Sequence, residues 1–192
     1  DYVLESKERM YNYIKKQREE LYNLVGYHVA VGQHALIKRI LEKQFNLPVS
    51  TTGSEELDLL LSDLKHSGAN PNAQKFIELI QELRTLEKWY STYLLRFLNE
   101  MRLTNRIYTD INQVGTVSGR VTSDFQQFPK FGIKDNEGNE LFDPRKMVIV
   151  SDGYVALAYL DYSQIELRLQ AMYTILVGHP DLNLCRAYMP FR

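Results

Sequence analysis

Apolar residues recur every three to four positions through the first half of this chain, then give way to short apolar runs set between turn residues. From about Leu4 to Leu24, the residues Met10, Tyr13, Ile14, Leu21 and Leu24 share one face between charged positions, which predicts an amphipathic helix. A second helix is expected from about Gln33 to Phe45. The stretch Pro48-Val49-Ser50-Thr51-Thr52-Gly53 reads as a connection, after which Ser54 is placed to cap a short helix carrying Leu57, Leu60 and Leu61. Ser67-Gly68-Ala69-Asn70-Pro71-Asn72 breaks the chain again. The longest element starts near Ala73 and runs to about Met101, with Phe76, Ile80, Leu83, Leu86, Trp89, Tyr90, Tyr93, Leu94 and Phe97 at helical spacing. At a rise of ~1.5 Å per residue it spans about 40 Å, and in isolation it reads simply as a long core helix.

From about Asn105 the composition turns to strands and turns. Arg106-Ile107-Tyr108-Thr109, Lys146-Met147-Val148-Ile149-Val150 and Tyr154-Val155-Ala156-Leu157-Ala158-Tyr159-Leu160 are expected strands, and Ser151-Asp152-Gly153 between the last two is a hairpin signal. Asp152 is accordingly a turn residue. From Ser163 the period becomes helical: Ile165, Leu169 and Met172 lie on one face, while Glu166, Arg168 and Gln170 face elsewhere. The pattern predicts an α+β chain, with a helical region over residues 1–104 and a region of antiparallel strands plus one motif-bearing helix over 105–192. Neither an internal repeat nor a low-complexity segment interrupts it.

Composition narrows the class without naming a function. With 192 residues and 44% hydrophobic content the chain buries a core as one domain or two small ones. A formal net charge of -1 gives no global field for a polyanion, so contacts to one must come from local clusters. The single cysteine, Cys185, excludes an internal disulfide framework and a multi-thiolate zinc site, and reads as a small buried hydrophobe. No apolar run approaches 18 residues and no signal peptide opens the chain, so no membrane partner is expected. The sequence begins at Asp1 without an initiator Met and stops at Arg192 soon after the motif helix, which suggests an excised or truncated piece of something longer.

The chemistry concentrates in Asp161-Tyr162-Ser163-Gln164-Ile165-Glu166-Leu167-Arg168. Asp161 falls at an expected strand-to-helix corner, where a rigid sheet would hold an acid within reach of a ligand. A lone acid there is ordinarily a turn residue. The functional alternative is a magnesium ligand, since that ion prefers hard oxygens and is commonly shared between one or two carboxylates and substrate phosphates. Ser163 and Glu166 also fit a capping box, in which the two side chains satisfy free amides at a helix start. Upstream, Thr109-Asp110-Ile111-Asn112-Gln113-Val114-Gly115-Thr116-Val117-Ser118-Gly119-Arg120-Val121-Thr122-Ser123 precedes Phe125-Gln126-Gln127-Phe128-Pro129. Taken alone this is a Gly-rich hairpin. Arg120, however, presents a planar fork of donors suited to minor-groove acceptors, which every correct base pair displays.

The octapeptide resembles the first palm motif of the family A DNA polymerases, the bacterial and phage polymerase I family, whose D-Y-S-x-I-E-x-R pattern is present here in full. The Gly-Arg stretch is similar to that family's T-G-R-L-S-S and L-Q-N-I-P elements, with the usual Asp-Pro-Asn shortened to Asp124 and the Asn replaced by Gln127. Phe45-Asn46-Leu47-Pro48 and Arg84-Thr85-Leu86-Glu87-Lys88-Trp89-Tyr90-Ser91-Thr92-Tyr93 resemble its thumb. The resemblance implies a helical thumb followed by part of a palm, with template-directed addition of deoxynucleotides to a primer 3′ end as the activity of the complete enzyme. It further implies that Asp161 binds both of two Mg2+ ions, that the Tyr162 carbonyl binds one of them, and that Tyr162, Ser163, Gln164, Ile165 and Glu166 line the incoming nucleotide. Glu166 would exclude a ribose 2′-hydroxyl. Arg84, Lys88, Arg120, Gln126, Gln127 and Arg168 would contact primer-template DNA, the first two from a helix long enough to follow the duplex.

The family's H-D-E element and fingers helix do not occur in this sequence. Their absence implies a piece inactive by itself, whose fingers and remaining palm are supplied in cis or by a separate chain. The resemblance implies a cytoplasmic setting, in a bacterium or a phage-infected host. A non-catalytic primer-template binding module, and a structural helical protein with an accidental match, are the readings from other classes.

Overall fold

The computed structural model describes residues 2–123, 126, 128–158 and 160–188, with the side chain of residue 103 excepted. The chain divides into two compact units, Asp1–Val148 and Ile149–Arg192. The change in composition at residue 104 therefore does not mark the edge of the first unit.

The first unit is built on helices. α1 (Tyr2–Val25) buries Val3, Ser6, Met10, Ile14, Gln17, Leu21 and Val25, a spacing of three and four that turns one stripe inward. α2 (His34–Lys43) buries Ile37, Ile40 and Leu41. α3 (Ser54–Ser67) starts one residue earlier than a Ser54 cap requires: Gly53 occupies the N-cap in extended conformation, no side chain caps it, and Ser54 is the first helical residue. Gly68, with φ of 64°, closes that helix in the left-handed conformation that costs glycine least.

The long helix is regular only in part. α4 (Pro71–Trp89) opens with the Asn70 carboxamide oxygen accepting from the Ala73 amide at 3.2 Å and with Pro71 in the first turn, a strong start signal. It then passes into a π-helical segment, Tyr90–Leu95, before α5 (Arg96–Thr104). The wider π turn shifts the inward stripe, so that Phe76, Ile77, Ile80, Leu83 and Leu86 are followed inward by Leu94 and Phe97.

Two short antiparallel pairs follow. β1 (Ile111–Asn112) pairs β2 (Thr122–Ser123), and β3 (Ile133–Lys134) pairs β4 (Glu140–Phe142) around an irregular register. The second hairpin is fastened to the helices. Tyr2 donates its hydroxyl to Glu140 at 3.0 Å and accepts from the Asp143 amide at 2.8 Å, while Tyr13 donates to Glu82 at 2.6 Å and accepts from the Asn136 amide at 3.2 Å. Burial, with the Glu82 carboxylate beside it, pushes the Tyr13 phenol up to about 12, so it remains a donor at any ordinary pH. Gly132 is needed where it stands: a Cβ there would lie 2.9 Å from that of Asp143 and 3.0 Å from the Phe142 carbonyl oxygen.

The second unit carries α6 (Ile165–Leu176) and α7 (Leu182–Tyr188), joined through Cys185, whose thiol donates to the Ala171 carbonyl at 3.7 Å. The fold class is α+β, as the periodicity predicts. The strands expected over 106–109, 146–150 and 154–160 are not formed in the described residues; Pro144–Met147 is a 3-10 turn instead. The Ser151–Tyr154 turn does form, closed by the Tyr154 amide on the Ser151 carbonyl at 3.1 Å, but positive φ is confined to Gly153 (88°). A hairpin of matching twist asks for positive φ at both central positions or at the first, so this turn does not bring its flanks into a ladder. Among the described residues no helix is long and apolar enough to cross a membrane.

Candidate functional site

In the second unit, an exposed irregular segment leads to the octapeptide. Tyr154, Val155 and Leu160 are 74%, 101% and 91% exposed, so apolar residues with strand propensity stand without a ladder partner. A strand is stable only when neighbours satisfy its amides and carbonyls, and the described residues supply none to this one. Asp161 is exposed and sits in irregular backbone rather than at the end of a sheet. This corrects the expectation of a rigid strand-to-helix corner. Tyr162 is 79% exposed beside it.

The capping box is also corrected. Gln164, not Ser163, is the N-cap residue of α6, in a left-handed conformation with φ of 51°, and no side chain caps it. Ser163 therefore lies one residue too early to reach the amide it was expected to satisfy, and Glu166 occupies the second helical position instead of the third. Glu166 still places a negative charge in the first turn of α6, where the helix dipole favours it. Arg168 shapes the loop: its Nε donates to the Ser163 carbonyl and its Nη1 to the Tyr188 carbonyl, each at 2.8 Å, bracing the octapeptide loop to the last residue of α7.

Asp161 with the adjacent Tyr162 carbonyl is a pair of hard oxygen donors of the kind magnesium takes. Among the described residues no group of three His, Cys, Asp or Glu side chains gathers to hold a metal. The donor set fits one side of a shared site and does not enclose an ion.

In the first unit, the loop from β1 to β2 carries Arg120. Gly119, with φ of 71°, donates its amide to the Thr116 carbonyl at 3.1 Å, and the Thr116 hydroxyl donates to the Arg120 carbonyl at 3.0 Å. Gly115 allows a close approach, since a Cβ there would fall 2.8 Å from the Thr122 hydroxyl oxygen. Arg120 is thus held exposed on a short internally bonded loop. Gln126 folds back, its Nε2 donating to the Val121 carbonyl at 3.2 Å. Gln127 lies outside the described residues.

Arg84 and Lys88 sit one turn apart on α4 and differ in environment. Lys88 is exposed. Arg84 donates Nε to the Val31 carbonyl at 2.9 Å and Nη1 to the Thr52 carbonyl at 2.6 Å, and its Nη2 lies 3.4 Å from His34 Nδ1. Burial lowers its pKa, though a guanidinium remains charged. Because arginine only donates, His34 Nδ1 is an acceptor there, and the Thr52 hydroxyl reaches the same atom at 2.7 Å. The residues before α3 are further tied by Glu56, whose carboxylate accepts from the Thr51 hydroxyl at 2.6 Å, the Ser50 hydroxyl at 2.8 Å and both amides at 2.7 Å. The Thr51 hydroxyl first, then the Ser50 donors, hold this carboxyl down to about 2. A depressed carboxyl stabilises the fold above its unfolded pKa and loses that contribution as pH falls towards the folded value. A carbon-detected NMR titration of Glu56 is expected to give a midpoint near 2, with the Ser50 and Thr51 amides shifting alongside; a midpoint in the ordinary glutamate range would remove the tie.

For the parts played by His34, Thr52 and Glu56 the local sequence offers a single hint, a Ser-Thr-Thr run shortly before an acidic first turn.

Residues 1–187 match the model of DNA polymerase family A. DNA polymerase I of Helicobacter pylori is 28% identical over 174 residues, covering 90% of this chain and 18% of that protein. The thermostable DNA polymerase I of Thermus aquaticus is 29% identical over 185 residues, 93% of this chain and 20% of the relative. That of Thermus filiformis is 32% identical over 155 residues, 79% and 18%. The chain spans about a fifth of the length of the curated relatives it matches.

Proposed function

Because the chain belongs to DNA polymerase family A, matched over residues 1–187, we propose that it is the thumb and first palm section of a template-directed DNA polymerase, adding deoxynucleotides to a primer 3′ end. The observation that carries the reading is the complete octapeptide Asp161–Arg168, its first four residues on an exposed loop that Arg168 braces and its last four opening α6, in a chain matched to the family almost throughout.

In this proposal Asp161 would hold both of two magnesium ions and the Tyr162 carbonyl one of them, with a second carboxylate supplied by the remaining palm. The chemistry magnesium supplies when bound is activation of the attacking 3′ oxygen and neutralisation of the departing pyrophosphate. Tyr162, Ser163, Gln164, Ile165 and Glu166 line the nucleotide, and Glu166 excludes the 2′-hydroxyl. Lys88 meets a backbone phosphate directly. Arg84 has five N–H groups, three engaged in the contacts above, and offers the duplex the remaining two while fixing the loops beside it. Arg120, Gln126 and Gln127 address the minor groove at the primer end. Freeing the Gln126 side chain breaks two exposed hydrogen bonds, one to the Val121 carbonyl and one from the Ser123 amide, each of ~1 kcal/mol, which contact with DNA replaces. Arg168 serves DNA from its place beneath the octapeptide loop. Fingers and remaining palm come in cis or from a separate chain.

Primer extension with magnesium tests this directly, using this chain alone and then mixed with a polypeptide supplying the remaining palm and fingers. Extension in the mixture only, with deoxynucleotides preferred over ribonucleotides, is the expected result. Duplex binding without extension in either case would replace the proposal with a non-catalytic primer-template binding module.

A further inference from the structure

A cavity of about 810 Å³ opens on the first unit between α1 and the junction where α4 becomes π-helical. Arg84, Lys88, Arg120 and Gln126 do not line it. Three of its walls are the rings of Tyr11, Tyr22 and Tyr90, with His28 laid against Tyr22 at 4.8 Å between centroids. Tyr11 and Tyr22 are 57% and 42% exposed, although Met10 and Leu21 beside them on α1 are 0% and 1% exposed. The two rings thus stand off the core and face the opening. The π segment begins at Tyr90 itself, and such local widenings of a helix recur at binding sites.

The charges in the lining cancel. Arg18 donates Nε and Nη2 to one oxygen of Glu87 at 3.3 and 2.9 Å, and Lys15 lies 4.0 Å from Glu19. Neither a phosphate nor a free cation gains a net field there. The surface that the lining exposes is nonetheless mostly apolar, and its charged groups are already paired with one another, which disfavours a polyol whose many hydroxyls would go unmet. What remains complementary is a flat, uncharged ring: its faces stack on the tyrosines, an acceptor edge meets the free N–H groups of Arg18, and a donor edge meets the second oxygen of Glu87.

We propose that this cavity binds a neutral nitrogen heterocycle of the nucleobase class, presented either as a free nucleoside or as an unpaired base of a single strand. The inference stands on the cavity's chemistry and does not require the polymerase reading. Calorimetric titration of the whole chain with adenosine, and separately with a short single-stranded oligodeoxyadenylate, tests it. Saturable adenosine binding is expected, unchanged by added salt because the site is neutral. Replacing both exposed rings, Tyr11→Ala with Tyr22→Ala, is expected to weaken it at least tenfold, about the scale of losing base stacking on an aromatic ring. Should that pair disturb the helix, Tyr22→Leu retains apolar bulk and is expected to weaken binding as well.

Adenosine binding with no gain for the oligonucleotide identifies the free nucleoside. A tighter oligonucleotide, lost in the same variants, identifies the unpaired base. No saturation with either probe, affinity undiminished in the variants, or equal competition by glucose overturns the proposal.

Discussion

Replacing Asp161 with Asn in the complete polymerase is expected to lower nucleotide incorporation by at least ~10³-fold, since charge stabilisation by a bound metal supplies several kcal/mol and each ~1.4 kcal/mol is a factor of ten. Primer-template affinity should stay within about twofold, because phosphate contacts made by other residues dominate it. Asn keeps the shape of the side chain and one oxygen but loses the charge, so the substitution isolates coordination from packing. Asp161 is well suited to this test: it is exposed, and among the described residues no hydrogen bond or ion pair engages it. Its removal should leave folding within ~0.5 kcal/mol, as surface changes usually do. Single-turnover incorporation and duplex binding measured on the same preparation decide between roles. A parallel fall in both would make Asp161 a contributor to DNA binding instead.

The helical half was legible because its signal is local and repeated. Val3, Met10, Ile14, Leu21 and Val25 recur at four and seven, and a spacing of three and four over Phe76, Ile80, Leu83 and Leu86 gave α4 its inward face. The π segment was not legible, because Tyr90 and Tyr93 continue an acceptable α-helical stripe and only the packing around them selects the wider turn. The strands failed for a different reason. Val155, Leu157 and Leu160 have the composition of a strand, but strand formation is decided by partners far away in sequence, and composition does not say whether they are there. Asp-Gly at 152–153 predicted a turn correctly; closing a ladder depended further on which residue took positive φ.

For the site, the octapeptide was readable as a motif while its geometry was not. Ser163 and Glu166 have the spacing of a capping box, yet the left-handed Gln164 shifts the helix start by one residue and defeats it. The ties around Arg84 were invisible for want of any local rule: Val31, His34 and Thr52 lie 53, 50 and 32 residues away along the chain. A basic residue on an amphipathic helix looks the same in sequence whether its charge meets solvent, as at Lys88, or backbone carbonyls, as at Arg84.

Phe142→Ala is expected to cost ~3–5 kcal/mol, the range for truncating a fully buried aromatic, against a total stability of ~5–15 kcal/mol for a domain. Phe142 is 0% exposed and meets Trp89 edge-on, with centroids 6.5 Å apart. Its strand has three residues and pairs with a strand of two, too little ladder to stand without a packed face. The hydrogen bonds of Tyr2 and Tyr13 are each worth ~1 kcal/mol and are partly exposed, so they orient the hairpin while Phe142 and Leu141 hold it. Urea unfolding checks the magnitude, with Phe131→Ala as control, since Phe131 is 74% exposed and should change little. Trp89 is the sole tryptophan and lies against Phe142, so its fluorescence reads this contact while far-ultraviolet circular dichroism reads the helices. Coincident transitions at lower urea would place the hairpin within the cooperative core of the helical unit. A fluorescence change that precedes loss of helix would instead make the hairpin a separately opening element, and a cost below ~1 kcal/mol would mean that the helices do not depend on it.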